Sequence, residues 1–111
     1  YKRLFIIIGT SIDKNIAGIV KELLPLSPTV IVSASQHPRA TPPLRLAEEF
    51  ARWGRSGEIA PSISAALTRA QHLATPSDLI LVTGSLFVVA EALKTLQSKG
   101  EGGHNNATGN R

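Results

Sequence analysis

The sequence predicts an α/β domain built on a mainly parallel sheet of about four strands with flanking helices, and three observations predict it. Short β-branched apolar runs alternate with segments of helical spacing, strand then helix, four times over. The runs close in glycine, serine, threonine or alanine, where a chain leaves a sheet edge and enters a helix cap. The helical segments stop at Pro25 and Gly54, residues that end helices for stereochemical reasons.

Arg3 to Ile8 is too short for a helix and apolar from Leu4 on, so it reads as a strand buried on both faces and closed by Gly9-Thr10-Ser11. Ile16, Ile19, Val20 and Leu23 recur at helical spacing, with Ser11 or Asp13 available as the cap and Pro25 as the stop. Thr29 to Ser33 is a second strand. Ala34 to Pro43 is a loop, since Pro38, Pro42 and Pro43 exclude a helix interior. Leu44 to Trp53 is a helix through Leu46, Ala47, Phe50 and Ala51, and Gly54 supplies its left-handed end. Gly57 to Ala60 is a short strand. Ser62 caps a helix that gathers Ile63, Ala66, Leu67, Ala70 and Leu73 on one face. Asp78 to Val82 is the most apolar strand, and Leu86 to Gln97 is a helix apolar almost all round in its first half, expected to lie buried. Residues 1–99 form the expected folded unit. Residues 100–111, rich in Gly and Asn, form an expected flexible tail.

With 111 residues and 42% hydrophobic content the chain can bury one core. Cysteine is absent, which excludes disulfides, thiolate zinc sites and a cysteine nucleophile, and the cytoplasm is the expected compartment. The longest apolar run, Leu4 to Ile8, falls far short of the ~20 residues of a membrane helix, and no signal peptide is recognisable, so no membrane partner is expected. Methionine is also absent and Tyr1 runs straight into a strand, so the chain reads as a piece of a longer one. Twelve Lys and Arg against eight Asp and Glu give a net charge of +4, which favours anionic partners in general. The aromatic residues are not interleaved with the basic ones as a base-stacking platform requires, so nucleic acid is not an expected partner.

In open α/β sheets ligands bind outside the carboxyl ends of the strands. All four such positions carry hydroxyls: Thr10-Ser11, Ser33 with Ser35, Ser62, and Thr83 with Ser85. Each has two readings, helix cap or ligand contact. The glycine patterns of dinucleotide and phosphate loops and of a nucleophile elbow are absent. His37, His72 and His104 are scattered without ligand spacing, so no metal site is expected. Asn106-Ala107-Thr108 has the form of a glycosylation acceptor, but no secretory signal accompanies it. Two basic residues stand at the expected site edge. Lys14 is either a ligand group or a surface partner of Asp13. Arg39 is either a solvated loop residue or a rigid fork for a carboxylate, held by the prolines around it.

Asp78-Leu79-Ile80-Leu81-Val82-Thr83-Gly84-Ser85-Leu86-Phe87 resembles the last strand, turn and helix of bacterial folylpolyglutamate synthase/dihydrofolate synthases, members of the Mur ligase superfamily. Gly9-Thr10-Ser11-Ile12-Asp13-Lys14-Asn15 resembles the family's glycine and Asp-Lys-Asp segment, and His37-Pro38-Arg39-Ala40 resembles its Pro-Arg-Ala loop. The three occur in family order and the resemblance covers about residues 1 to 97.

The resemblance implies a Rossmann-like carboxy-terminal domain that lacks its first strand and helix and closes over a central ATP-binding domain of the same parent chain. It implies an ATP-dependent ligase in which a folate or pteroate carboxylate becomes an acyl phosphate and is attacked by the amine of L-glutamate, with Mg2+ in attendance. It places no catalytic or metal-binding residue here, since ATP and Mg2+ are held mainly by domains outside this chain. It implies that Arg39, Ser85, Lys14 and His37 meet glutamate or folyl carboxylates, with Asp13 a candidate on the cofactor side. Asn15 departs from the family's second acid. The residues without the resemblance also admit a stand-alone, non-catalytic α/β module binding a nucleotide or other anion. A receiver-like interaction domain would want clustered acids, where only Asp13 is suitably placed.

Overall fold

The apolar runs occupy the centre of one parallel sheet. A computed structural model describes the backbone of residues 1–103, and the side chains of these apart from Leu86 and residues 98–103. Strands β1 (Leu4–Gly9), β2 (Thr29–Val32), β3 (Gly57–Ile59) and β4 (Leu79–Gly84) lie in the order β3-β2-β1-β4, and every pair is parallel. They alternate with α1 (Ile16–Leu23), α2 (Pro43–Arg52), α3 (Ile63–Leu73) and α4 (Leu86–Gly103).

The twofold alternation of side chains along β1 divides the core into two layers. Leu4, Ile6 and Ile8, with Val30 and Val32 of β2, pack under α1 and α2 through Ile16, Val20, Leu46 and Phe50. Ile7, with Ile31, Ile80 and Val82, packs against α3 and α4 through Ile63, Leu67, Val88 and Ala92. Every residue of β1 is buried, as a central parallel strand covered on both faces requires. The chain steps outward from β1 to β2 and β3, then crosses to the far side of β1 as β4. The order therefore reverses between β1 and β4, which puts the topological switch point at their carboxyl ends.

Several elements differ from the sequence expectation for identifiable reasons. The cap of α1 is Asn15, whose Oδ1 accepts the Gly18 N–H at 3.1 Å, and neither Ser11 nor Asp13 caps it. Ser11 is paired with Ala40 in an antiparallel bridge, and its carbonyl accepts the Lys14 N–H. Pro25 falls inside a 3-10 turn, Leu24–Leu26, that continues from α1 and ends on Ser27 at φ 48°. α2 starts at Pro43, because proline fits the first helical position, whose N–H has no helical partner.

β4 is an edge strand, and the α1–α2 layer takes in no β4 residue, so Leu79 and Leu81 remain 46% and 40% exposed. Among its described side chains, α4 buries Val88 and Ala92 on one face, while Phe87 and Leu93 are exposed. Its backbone runs on to Gly103, beyond the Gln97 end expected. The rest of the expected tail, with His104 and Asn106, lies outside the described residues. No helix among the described residues is long and apolar enough to cross a membrane.

An ionic clamp ties the amino-terminal ends of β1 and β4. Arg3 donates from Nη2 and Nε to Asp78 Oδ2 at 2.7 and 3.2 Å, and from Nη2 to the Leu73 carbonyl at 3.2 Å. The Thr75 N–H and hydroxyl donate to the same Asp78 oxygen at 2.8 and 3.1 Å. The Arg3 hydrogen bonds first, and the Thr75 N–H second, hold the Asp78 carboxyl well below the usual carboxylate range. A carboxyl depressed on folding stabilises the fold above its unfolded-state pKa, and that contribution is lost as pH falls toward its folded-state value. Asp78→Asn is therefore expected to lower the melting temperature at neutral pH. Its deficit against the unsubstituted chain should narrow as the pH drops below about 4, the range where free carboxyls protonate, in parallel melts followed by circular dichroism.

Candidate functional site

At the switch point the strand ends approach too closely for side chains. Gly9 and Gly84 are paired at the last rung of the β1–β4 ladder. A Cβ on Gly84 would collide with the Gly9 carbonyl oxygen, and its φ of +122° is one that L-residues with side chains rarely adopt. A Cβ on Gly9 would lie 2.7 Å from the Ser33 carbonyl oxygen at the end of β2 and 2.9 Å from Val88 Cγ2. From Gly84 the chain turns directly into α4. There the 7% exposed Ser85 accepts the Val88 N–H on its Oγ at 3.2 Å, capping the helix.

Above this floor the loops following β1 and β2 are zipped together. Beside the Ser11–Ala40 bridge, the Ile12 N–H donates to the Arg39 carbonyl and the Thr41 N–H to the Thr10 carbonyl, both at 2.8 Å. The Thr10 and Thr41 hydroxyls, each 1% exposed, bond at 3.1 Å. The same β2 loop lies across the start of α4. The Gln36 N–H donates to Glu91 Oε2 at 2.7 Å, and the His37 ring stacks on Phe87 with centroids 4.0 Å apart and planes 23° apart. Arg39 is exposed, and among the described residues no carboxylate pairs with it, whereas Arg3, Arg52 and Arg69 are engaged by Asp78, Glu49 and Glu58.

The fold thus brings Arg39, His37 and Ser85 to one rim. Lys14 and Asp13 occupy the turn between β1 and α1, joined to that rim through the Ile12–Arg39 hydrogen bond. Lys14 also lines an open depression of about 480 Å³ with Asn15, Arg45, Glu48, Glu49 and Arg52, so its side chain shares the charged outer face of α2. Three other strand-end hydroxyls serve the backbone. Ser62 caps α3 through the Ala65 N–H at 3.0 Å, Ser33 donates to the Ala60 carbonyl at 3.0 Å, and Ser35 accepts the His37 N–H at 3.3 Å.

Phe87, Glu91 and Thr41 were missed by sequence reasoning. Phe87 and Glu91 read as ordinary helix residues, and only the nearness of Phe87 to the Thr83-Gly84-Ser85 turn could have flagged it. Among the described residues no group of three or more His, Asp or Glu could hold a metal ion. The rim instead offers a guanidinium fork, an imidazole and the amino-terminal end of α4, which together suit a carboxylate or other small anion.

A parallel sheet in the order β3-β2-β1-β4 with helices on both faces defines a doubly wound α/β domain. Residues 1–86 match the family described as Mur ligase, glutamate ligase domain, and the chain belongs to that family. It is 36% identical over 96 residues to a probable bifunctional folylpolyglutamate synthase/dihydropteroate synthase of Haloferax volcanii, covering 86% of this chain and 11% of that protein. Among solved structures, E. coli FolC in complex with DHPP and ADP superposes with a TM-score of 0.78 at 25% identity, over 89% of this chain and 23% of that one. Mycobacterium tuberculosis folylpolyglutamate synthase complexed with ADP and AMPPCP gives 0.72 at 27%, over 86% and 24%. The chain spans under a quarter of the length of each of these relatives.

The crowded floor gives a direct check on the site. Gly84→Ala is expected to destabilise the chain by at least about 3 kcal/mol in urea melts, since it combines a forbidden φ with a backbone collision that no rotamer relieves.

Proposed function

We propose that the chain is the glutamate ligase domain of a folylpolyglutamate synthase/dihydrofolate synthase. In that enzyme, ATP converts a folate or pteroate carboxylate to an acyl phosphate, and the amine of L-glutamate displaces the phosphate to form the amide. This domain's share is recognition: Arg39 grips a carboxylate of the incoming glutamate, or of the folate's existing glutamate, when the domain closes on a central ATP-binding domain. The relatives with ADP in their structures lend ATP use to the parent reading. The described residues hold no metal-binding cluster, so no step is assigned to a metal on this chain and Mg2+ is left to the rest of the enzyme.

One observation carries this reading. The Arg39 guanidinium is exposed and without a carboxylate partner among the described residues, on a loop pinned by backbone hydrogen bonds on both sides of it. A planar fork presented by a restrained backbone binds two carboxylate oxygens in parallel, which a point-charge ammonium cannot do. Ser85 lies at the same edge, and its hydroxyl can serve the cap and a ligand together because oxygen has two lone pairs. Asp13 and Lys14, on the turn hydrogen-bonded to Arg39, stand where the closing domain would meet the rim.

Three outcomes test the proposal. In the synthase that contains this domain, Arg39→Lys is expected to weaken glutamate use almost as much as Arg39→Ala, by about 1.5–3 kcal/mol in kcat/KM, with the KM for ATP little changed. Ser85→Ala should cost about 1 kcal/mol of stability through the lost cap and raise the KM for glutamate more than that for ATP. Full activity with lysine, or equal losses for both substrates, would show that Arg39 is a surface or interface charge. The isolated 111-residue chain is expected neither to hydrolyse ATP nor to ligate glutamate, and turnover above a blank would refute the division of labour.

A further inference from the structure

The His37 ring occupies an unusual position for a residue that would meet substrate. One face of it is stacked on Phe87, and its Nδ1 accepts the Arg39 N–H at 3.1 Å, two residues further on. That hydrogen bond has the form of an Asx turn with an imidazole nitrogen in place of the usual carboxamide or carboxylate oxygen. It requires an unprotonated Nδ1, so the neutral ring carries its proton on Nε2. The His37 carbonyl meanwhile accepts the Ala40 N–H at 3.0 Å, which closes the turn around Pro38 and Arg39.

The backbone of Arg39 is consequently held at both polar groups, its N–H by the His37 ring and its carbonyl by the Ile12 N–H at 2.8 Å. The anchor of this arrangement is α4. Phe87 takes the face of the imidazole, and one turn later Glu91 Oε2 accepts the Gln36 N–H at 2.7 Å. Stacking at 4.0 Å on a 47% exposed phenylalanine removes apolar area of both rings from water and holds the imidazole in one plane, within which its Nδ1 edge meets the Arg39 N–H. That orientation sets where the amide of Arg39 can sit, and hence where its guanidinium begins.

We infer that His37 is a positioning residue: clamped on Phe87, it aims Arg39 through the Nδ1 hydrogen bond and does not itself bind the carboxylate. The inference rests on the proposed role of Arg39 in taking a carboxylate, and refines the expectation that His37 meets substrate. It also gives the exposed Phe87 a task at the site, as the platform that fixes the imidazole.

Substitutions separate the two jobs of the ring. His37→Phe keeps an aromatic face for Phe87 and removes the acceptor, whereas His37→Asn keeps an acceptor for the Arg39 N–H and removes the stack. In the isolated chain, amide hydrogen exchange read by nitrogen-15 NMR should show Arg39 exchanging roughly 3- to 10-fold faster in His37→Phe, the ratio set by losing an ordinary hydrogen bond. His37→Asn should retain most of the protection. In the synthase that contains the domain, His37→Phe should raise the KM for glutamate by a similar roughly 3- to 10-fold factor with kcat and the KM for ATP unchanged, and His37→Asn should restore it to within about 2-fold.

The decisive comparison is made on an Arg39→Ala background. There His37→Phe should have no further effect on the KM for glutamate, since its influence passes through Arg39. An equal rise with and without Arg39 would mean that the imidazole touches substrate, and would overturn the inference. Unchanged Arg39 exchange in His37→Phe would overturn it as well. If Arg39→Ala alone leaves glutamate use intact, the carboxylate reading fails, and the exchange data still decide whether His37 positions the loop. Should His37→Phe fail to fold, His37→Ala removes the same acceptor, and unchanged exchange at Arg39 in that variant overturns the inference.

Discussion

Gly9 and Gly84 meet at the last rung of the β1–β4 ladder with no space for a side chain on either, and the geometry of the rim above them is inherited from that closeness. Gly9 also lies under the Ser33 carbonyl, so the ends of three strands converge on one small patch of backbone. Backbone that close brings the β1 and β2 loops within hydrogen-bonding reach of each other, which is why Ser11 can pair with Ala40 and Ile12 with Arg39. The positive φ of Gly84 then swings the chain into α4 within one residue. The start of that helix comes to rest beneath the β2 loop, where Phe87 meets His37. A larger residue at either glycine would separate the layers that the site joins.

The hydroxyls at the strand ends do less chemistry than their placement invites. Thr10 and Thr41 satisfy each other in the interior, Ser33 bonds a carbonyl, Ser62 caps α3 and Ser85 caps α4. A buried hydroxyl without a partner is costly, so these positions are first required to satisfy the polar groups that a crowded sheet edge creates. Under the proposed function, recognition of an anion is left to groups that the backbone does not need. Arg39 is such a group, with its main chain committed and its side chain in solvent.

How far the molecule could be read from its sequence depends on the range of the interaction involved. The strands and helices were legible because continuous β-branched runs and helical spacing are local signals, and the carboxyl-end rim followed from the general behaviour of α/β sheets. Arg39 stood out through the prolines around it. β4 read as the most apolar strand, yet the run Leu79 to Val82 would look the same in a central strand or at an edge, and only the long-range pairing decides. Asn15 caps α1 because the chain from Ser11, bridged through its backbone to Ala40 far along the chain, turns first and enters the helix only at Ile16, a start that is invisible within the cap segment itself. Lys14 found its neighbours through the packing of α2 beside α1, and the stack of Phe87 on His37 joins elements separated by two strands and two helices. Each of these required the tertiary fold.

The two edges of the sheet treat the same functional group in opposite ways. At the amino-terminal edge the Arg3 guanidinium is occupied by the chain's own Asp78 carboxylate, which Thr75 also serves, so its charge is already met within the chain. At the carboxyl-terminal edge Arg39 has no such partner among the described residues. While the rim is open, water solvates the free guanidinium and leaving it unpaired costs little. Covering it by another domain would strip that water away, and a desolvated charge without a counter-charge is strongly unfavourable. Under the proposed function, closure over Arg39 is therefore favourable only when a carboxylate arrives with it. The arginine then does more than hold glutamate: its unpaired state makes the closed form of the site conditional on the substrate being there.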